Sequence, residues 1–91
     1  MTMTIQFGNS DDKLTQAQWA DYVRAVRNAV SLHGDQIYFL GYPPGCEPWQ
    51  NCCIVCLVSL ERDKLIEHLT TIRKHFRQDS IAITEGVTNF L

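Results

Sequence analysis

The sequence lacks any segment that is long and apolar enough to cross a membrane, and it lacks a motif that specifies a reaction. Its apolar run at residues 52–58 is much shorter than the roughly 20 residues that a membrane helix needs. Residues 1–7 also lack the basic and apolar segments of a signal peptide. We therefore expect a cytoplasmic protein that does not enter a membrane and whose cysteines are free thiols.

The sequence also lacks a strong excess of charge of either sign. Eight lysine and arginine residues face ten aspartate and glutamate residues, for a formal net charge of −2. This balance provides no overall attraction to nucleic acid or to an anionic membrane, so either kind of binding would need a local basic patch. The 91 residues contain no internal repeat or linker, and they predict a single domain over residues 1–91.

Residues 52–58 are apolar at every position, and this is the most informative feature of the chain. A strand with one face in water alternates apolar and polar residues, whereas a strand without alternation has both faces covered. A chain of 91 residues has too little helix to cover both faces of a sheet. The run therefore predicts a domain that associates with itself or with a partner protein.

The first third of the chain predicts a strand followed by a helix. Apolar and polar residues alternate over residues 2–7, as in a half-buried strand. Thr15 and Gln18 then fit a capping box, which marks a helix N-terminus. Apolar residues recur after it at helical spacing, at Trp19, Tyr22, Val23, Val26 and Val30. Gly34 is the expected end of this helix.

The middle of the chain predicts two more strands and a second helix. Residues 37–42 form a strand that is apolar on both faces and ends at Pro43, because proline removes a ladder donor. The apolar run 52–58 is the next strand. Ser59 is the candidate cap of the second helix. The inner face of that helix carries Leu65, Leu69, Ile72 and Phe76.

The chain is expected to end in a β-hairpin, with strands at 81–84 and 87–91 joined by Glu85 and Gly86. The element order before the last strand matches the split βαββαβ arrangement of ferredoxin-like folds. We therefore predict an α+β protein with an antiparallel sheet, two helices on one face of it, and an added C-terminal β-hairpin.

The four cysteines are the obvious candidates for a metal site: Cys46, Cys52, Cys53 and Cys56. Zinc needs sulfurs within roughly 4 Å of one another. On an extended strand Cys52 and Cys56 would lie about 13 Å apart, and Cys53 would face the other side of the sheet. We interpret the strand cysteines as buried thiols that pack as small apolar groups. Cys46 lies between prolines on a predicted loop, and we expect it to be the most accessible thiol.

The histidines predict no catalytic or metal site either. His68 and His75 would lie about 10 Å apart along one helix, which is too far to share a metal ion. A catalytic cysteine needs a base within reach, and a histidine could reach one only through the fold. We therefore expect no catalytic residue, no metal and no cofactor.

Arg73, Lys74 and Arg77 form a candidate phosphate patch near the end of the second helix. The alternative is a solvated helix end whose cations complement the helix dipole. RNA-recognition domains of this topology stack bases on aromatic residues of the first and third strands. These two strands carry no aromatic residue apart from Phe7, which disfavours nucleic acid as a partner.

The loop between the second and third strands combines prolines with large aromatic side chains. Rigid loops lose little entropy on binding, and tyrosine and tryptophan are enriched at binding hot spots. The candidate partner-binding residues are Tyr42, Pro43, Pro44, Cys46 and Trp49. The alternative is that Trp49 folds back and caps the edge of the core.

Residues 49–58, the helix after them and residues 76–86 together resemble the C-terminal half of small uncharacterised proteins of phages and bacteria. The shared features are an apolar strand, a helix and a hairpin that begins with the pattern Phe-x-Gln-Asp/Glu-Ser/Ala-Ile/Val, here Phe76-Arg77-Gln78-Asp79-Ser80-Ile81. The resemblance covers about half of the chain. It implies no activity, and it favours a phage or mobile-element origin.

These observations predict a small non-enzymatic interaction module, such as a phage or mobile-element factor that binds a host protein. The apolar strand predicts a homodimer. The alternative is a dimeric α+β barrel that encloses a pocket for binding or oxidising a small molecule. That pocket would need a polar group aimed into it, and the residues considered for that role are Thr4, Gln6, Ser59 and Thr84.

Overall fold

The computed structural model describes residues 1–43 and 50–91. These residues contain four strands, two α-helices and a short 3-10 turn at Ser10–Asp12. The strands are β1 (Thr2–Gly8), β2 (Gln36–Gly41), β3 (Asn51–Leu57) and β4 (Ala82–Gly86), and the helices are α1 (Gln16–His33) and α2 (Arg62–His75).

The strands form one antiparallel sheet in the order β2-β3-β1-β4. The two central strands, β1 and β3, pair over their full length, with Ile5 opposite Ile54. The element order and the sheet order together confirm the predicted α+β fold of the split βαββαβ type.

The core lies between the helices and one face of the sheet, called here the inner face. Alternate residues of β1 and β3 are buried on this face: Met3, Ile5, Phe7, Cys52, Ile54 and Cys56. Both helices contribute to the same core with Tyr22, Val26, Val30, Leu65 and Leu69. Both helices therefore cover the inner face, as predicted.

Tyr22 is the centre of an aromatic cluster in this core. Its ring centroid lies 5.2 Å from that of Phe7, 5.9 Å from that of Trp19 and 5.0 Å from that of Phe76. The hydroxyl is buried and has no hydrogen-bond partner among the described residues. Burial raises the pKa of Tyr22 to about 12, against a smaller opposing effect of the charge on Arg73.

Helix α1 begins and ends as the sequence predicts. Thr15 Oγ1 accepts a hydrogen bond from the Gln18 amide (3.2 Å), and Gln18 Oε1 accepts one from the Thr15 amide (2.8 Å), which completes the capping box. Gly34 ends the helix at a negative φ of −84°. Glycine is needed there because a Cβ would lie 2.7 Å from the Val30 carbonyl oxygen.

Helix α2 begins later than expected, and Ser59 is not its cap. Glu61 occupies the N-cap position without a side-chain capping bond. The Ser59 hydroxyl instead donates to a carboxylate oxygen of Asp35. The prediction failed because an acceptor from another part of the chain takes the hydroxyl, which sequence spacing does not reveal.

The C-terminal end of α2 forms a Schellman motif. The Gln78 amide donates to the Arg73 carbonyl (3.0 Å), and the Arg77 amide donates to the Lys74 carbonyl (3.1 Å). This geometry places Arg77 at a φ of 56°, in the left-handed region that favours glycine.

Two buried amide side chains organise the loop that leads into α1. Asn9 Oδ1 accepts from the Leu14 amide (2.8 Å), and Asn9 Nδ2 donates to the Leu14 carbonyl (3.0 Å) and to Gln50 Oε1 (2.9 Å). Gln78 Oε1 accepts from the Ser10 amide (2.7 Å). The glutamine of the Phe-x-Gln pattern therefore has a structural role, since it ties the end of α2 to this loop.

The predicted C-terminal hairpin does not form. Glu85 and Gly86 lie inside β4, and residues 87–91 form no strand. A two-residue hairpin turn needs at least one residue with positive φ, and no described glycine has one. The backbone at these two positions therefore continues the strand.

Residues 87–91, called here the C-terminal segment, leave β4 and reach the opposite edge of the sheet. The Thr88 hydroxyl is hydrogen-bonded to the Thr2 hydroxyl of β1. The ring of Phe90 then lies 6.1 Å from the ring of Tyr38 in β2.

Candidate interaction face and histidine cluster

The face of the sheet opposite the helices, called here the outer face, has an apolar half and a polar half. The strands β2 and β3 present Phe39, Cys53, Val55 and Leu57. The strands β1 and β4 present Thr2, Thr4, Gln6, Ala82 and Thr84. An antiparallel pairing register brings Phe39, Val55, Thr4 and Thr84 into one row across the face.

Strand β3 is covered on one face only. Its inner positions, Cys52, Ile54 and Cys56, are at most 2 % exposed, whereas its outer positions are half-buried. The described helices and strands therefore cover one face of β3, and cover of its second face by a partner or a second copy stays a prediction. Both helices pack on the inner face, and no described helix or strand packs on the other.

Strand β2, predicted to be apolar on both faces, is an exposed edge of the sheet. A bulge between Ile37 and Phe39 inserts Tyr38 into the strand. Tyr38 is 39 % exposed and Phe39 is 54 % exposed. The exposed aromatic rings continue the apolar half of the outer face to the edge, where Phe90 of the C-terminal segment is also exposed.

A cleft of about 650 Å³ lies at the end of the outer face beside the connection between β2 and β3. Its lining includes Gln6, Gly8, Phe39, Tyr42, Cys53 and Ala82. Of the polar residues considered from sequence for a pocket, only Gln6 lines this cleft; Thr4 lies further along the same strand. The cleft is open, with aromatic rings on the β2 side.

The structure describes only part of the predicted partner-binding loop. Tyr42 is 61 % exposed, and both Tyr42 and Pro43 line the cleft. Pro44, Cys46 and Trp49 lie outside the described residues. The described part of the loop is therefore continuous with the apolar half of the outer face.

The strand cysteines divide between the two faces. Cys52 and Cys56 are buried on the inner face, and Cys53 is half-buried on the outer face, where it lines the cleft. Burial raises the pKa of Cys52 to about 11 and also raises the pKa of Cys56. Within residues 1–43 and 50–91, no group of three or more histidine, cysteine or acidic side chains is placed to hold a metal ion.

Only two of the three cations in the candidate phosphate patch are exposed to solvent. Arg73 is half-buried, and its Nη1 donates to the Gln78 carbonyl (3.1 Å) at the end of α2. Lys74 and Arg77 are exposed. Phosphate binding at this helix end stays a prediction that would depend chiefly on these two exposed cations.

A cluster of three titratable side chains joins the two helices, and the sequence did not predict it. His33, the last residue of α1, places Nδ1 2.8 Å from Glu61 Oε1 and Nε2 3.2 Å from His68 Nδ1. We call Glu61, His33 and His68 the histidine cluster. Its imidazole rings are nearly perpendicular, at 82°, and the His33 side chain is only 13 % exposed.

The hydrogen bond from His33 holds the pKa of Glu61 below its usual value, so this residue carries a carboxylate at neutral pH. The remaining histidine, His75, is exposed and packs its ring on Phe76, at 5.0 Å between centroids. His68 is half-buried and has a partner on α1, which the sequence did not predict. No spacing signal could have found this contact, because it depends on how the helices pack.

A comparison with protein-family models and with curated proteins finds no match for this chain. Neither described helix has the length and apolar character that crossing a membrane would require.

Proposed function

We propose that this chain is a small non-enzymatic interaction module that binds another polypeptide through the apolar half of its outer face. The observation that carries the proposal is the row formed by the exposed Phe39 and the half-buried Val55, on a face that no described helix covers. Contiguous apolar surface of this kind usually marks an interface in a soluble protein.

The first candidate partner is a second copy of the chain. A two-fold axis lets one apolar half cover the same surface of its copy, so a single patch is enough. Such a dimer should form at micromolar concentration and bury at least about 1,000 Å² in total. Light scattering after size-exclusion chromatography measures the mass directly.

Val55→Lys tests the position of this interface, because it places a charge in the middle of the apolar half. We expect a folded monomer from this variant. The matched control is Leu32→Lys, which adds the same charge at a leucine of α1 that is 68 % exposed; this variant should remain a dimer. A Val55→Lys variant that keeps the wild-type mass would exclude this face as the interface.

Photo-crosslinking tests the broader proposal of protein binding. A benzoylphenylalanine at position 39 should crosslink to a polypeptide, whereas the same group at position 32 should not. A host protein in the crosslink, instead of a second copy, would support the finer proposal of a phage or mobile-element factor. Equal or absent crosslinking at the two positions would contradict the outer face as the binding surface.

The loop between β2 and β3 is proposed to extend the same surface. Tyr42→Ala and Trp49→Ala should weaken binding while each lowers the free energy of unfolding by less than about 1.5 kcal/mol. A loss of about 3 to 5 kcal/mol with Trp49→Ala would instead indicate a core residue. Urea denaturation and crosslinking yield measure the two effects separately.

The cleft favours a second candidate, a dimeric α+β barrel that encloses a small molecule. Gln6 would supply the polar group, and Phe39 and Tyr42 would supply aromatic contacts. A small aromatic ligand should then shift the backbone NMR signals of Gln6, with the shift abolished by Phe39→Ala. Unchanged signals with a series of aromatic ligands would count against this candidate.

A further inference from the structure

We propose that His33 and His68 together bind one divalent metal ion of the kind that prefers imidazole, with Zn²⁺ as the reference ion. The site would lie between the C-terminal end of α1 and the middle of α2. It is separate from the outer face and does not depend on the proposed interaction function.

The distance between the two facing nitrogens carries the inference. His33 Nε2 and His68 Nδ1 are 3.2 Å apart. Two imidazole nitrogens that each lie about 2.0 to 2.1 Å from one metal ion, at an angle near 100 to 110°, are separated by about 3.1 to 3.4 Å. The helices therefore already hold the pair at the spacing that a shared metal ion requires.

Glu61 prepares His33 for this role. A carboxylate accepts hydrogen bonds only, so the 2.8 Å contact between Glu61 Oε1 and His33 Nδ1 places the ring proton on Nδ1. The lone pair of His33 then lies on Nε2, the atom that faces His68. This carboxylate–histidine arrangement is the one that orients histidine ligands in metalloproteins.

In the metal-free cluster, His68 Nδ1 donates a hydrogen bond to His33 Nε2, since only one of the two facing atoms can carry a proton. Metal binding requires His68 to carry its proton on Nε2, so that both facing atoms present lone pairs. The exchange is between two neutral tautomers of one ring.

Two histidines leave the other coordination positions to water, since no group of three or more ligating side chains occurs in the described residues. The site should therefore bind weakly enough for the metal to exchange. The charge of Lys64 near Glu61 weakens the attraction further. A protein purified without added metal is accordingly expected to carry no stoichiometric zinc, and a chelator should leave its melting temperature unchanged.

Thermal unfolding with added zinc chloride, in the presence of a phosphine reductant, tests the site. At ten times the dissociation constant, the melting temperature of the wild type should rise by about 5 to 10 °C. His33→Gln and His68→Gln should abolish the rise. The matched control is His75→Gln, which removes an exposed histidine from the same helix as His68 and should keep the rise in full.

Glu61→Gln tests the carboxylate contact separately from the ligands, and it should weaken zinc binding about 10- to 100-fold. Nitrogen NMR of the wild-type histidine rings provides a measurement that does not depend on whether the variants fold. Zinc should shift His33 Nε2 and His68 Nδ1 and leave His75 unchanged. Unchanged His33 and His68 signals, or a thermal shift that survives His33→Gln through binding at the thiols, would overturn the proposal.

Discussion

Replacement of Tyr22 by phenylalanine should stabilise the protein, although it removes a polar group from the most buried tyrosine. The Tyr22 hydroxyl is buried without a hydrogen-bond partner among the described residues. A hydroxyl moved from water into such a site costs about 1 to 3 kcal/mol. Phenylalanine keeps the ring and its contacts with Phe7, Trp19 and Phe76.

We expect Tyr22→Phe to raise the free energy of unfolding by about 1 kcal/mol, because some of the penalty is offset by dispersion contacts of the hydroxyl oxygen. For a domain of this size, that gain corresponds to a rise of about 4 to 8 °C in melting temperature. Urea denaturation measures the change in the free energy of unfolding, and the m-value should be the same for the variant and the wild type. Tyr38→Phe is the matched control, since its ring is partly exposed, and it should stay within about 0.5 kcal/mol of the wild type.

The pH dependence gives a second measure of the same effect. The pKa of Tyr22 is raised to about 12 in the folded protein, above its ordinary value of 10.0. The phenol of Tyr22 therefore ionises at a lower pH in the unfolded chain than in the folded protein. This difference in ionisation lowers the free energy of unfolding as the pH rises from about 10 to 12. The wild type should lose stability over this interval more steeply than Tyr22→Phe. A variant that is less stable at neutral pH would show that the hydroxyl has a hydrogen-bond partner, and an unchanged alkaline slope would show that folding does not raise the pKa of Tyr22.

Other positions have equally direct expectations. Cys53 should be alkylated in the folded protein well before Cys52, because burial raises the pKa of Cys52 to about 11. Mass spectrometry of timed alkylation reactions gives the order. Equal alkylation rates would refute the assignment of Cys53 to the outer face and Cys52 to the inner face. Arg77→Gly should stabilise the protein by about 0.5 to 1 kcal/mol, because glycine adopts a φ of 56° without strain. Lys74→Gly, inside the helix, is its control and should cost about 1 kcal/mol in the same urea experiment. Trp19→Ala should cost about 3 to 5 kcal/mol because the ring is in the core, and a loss below about 1.5 kcal/mol would contradict that placement.

The secondary structure at the start of the chain could be predicted from the sequence, because it depends on residues that are close together in the sequence. The alternation of residues 2–7 and the capping box at Thr15 and Gln18 define β1 and the start of α1. These signals act over two to four residues, which is the range over which side-chain periodicity and capping operate. The order of the elements then predicted the α+β fold with both helices on one face.

The ends of elements were less predictable where long-range partners compete. Ser59 was expected to cap α2, but its hydroxyl bonds to Asp35. The C-terminal segment was expected to pair beside β4, but Phe90 packs against Tyr38 at the far edge of the sheet. In each case a contact with a residue distant in sequence replaced the local arrangement that the pattern favoured.

The candidate sites also depend on contacts between residues that are distant in the sequence. The apolar run at residues 52–58 predicted a strand, yet only the pairing register identifies Val55 as an outer residue and Cys56 as an inner one. The histidine cluster had no sequence signal at all. His33 lies 35 positions from His68 and 28 from Glu61, and these side chains meet only because α1 and α2 pack side by side on the sheet.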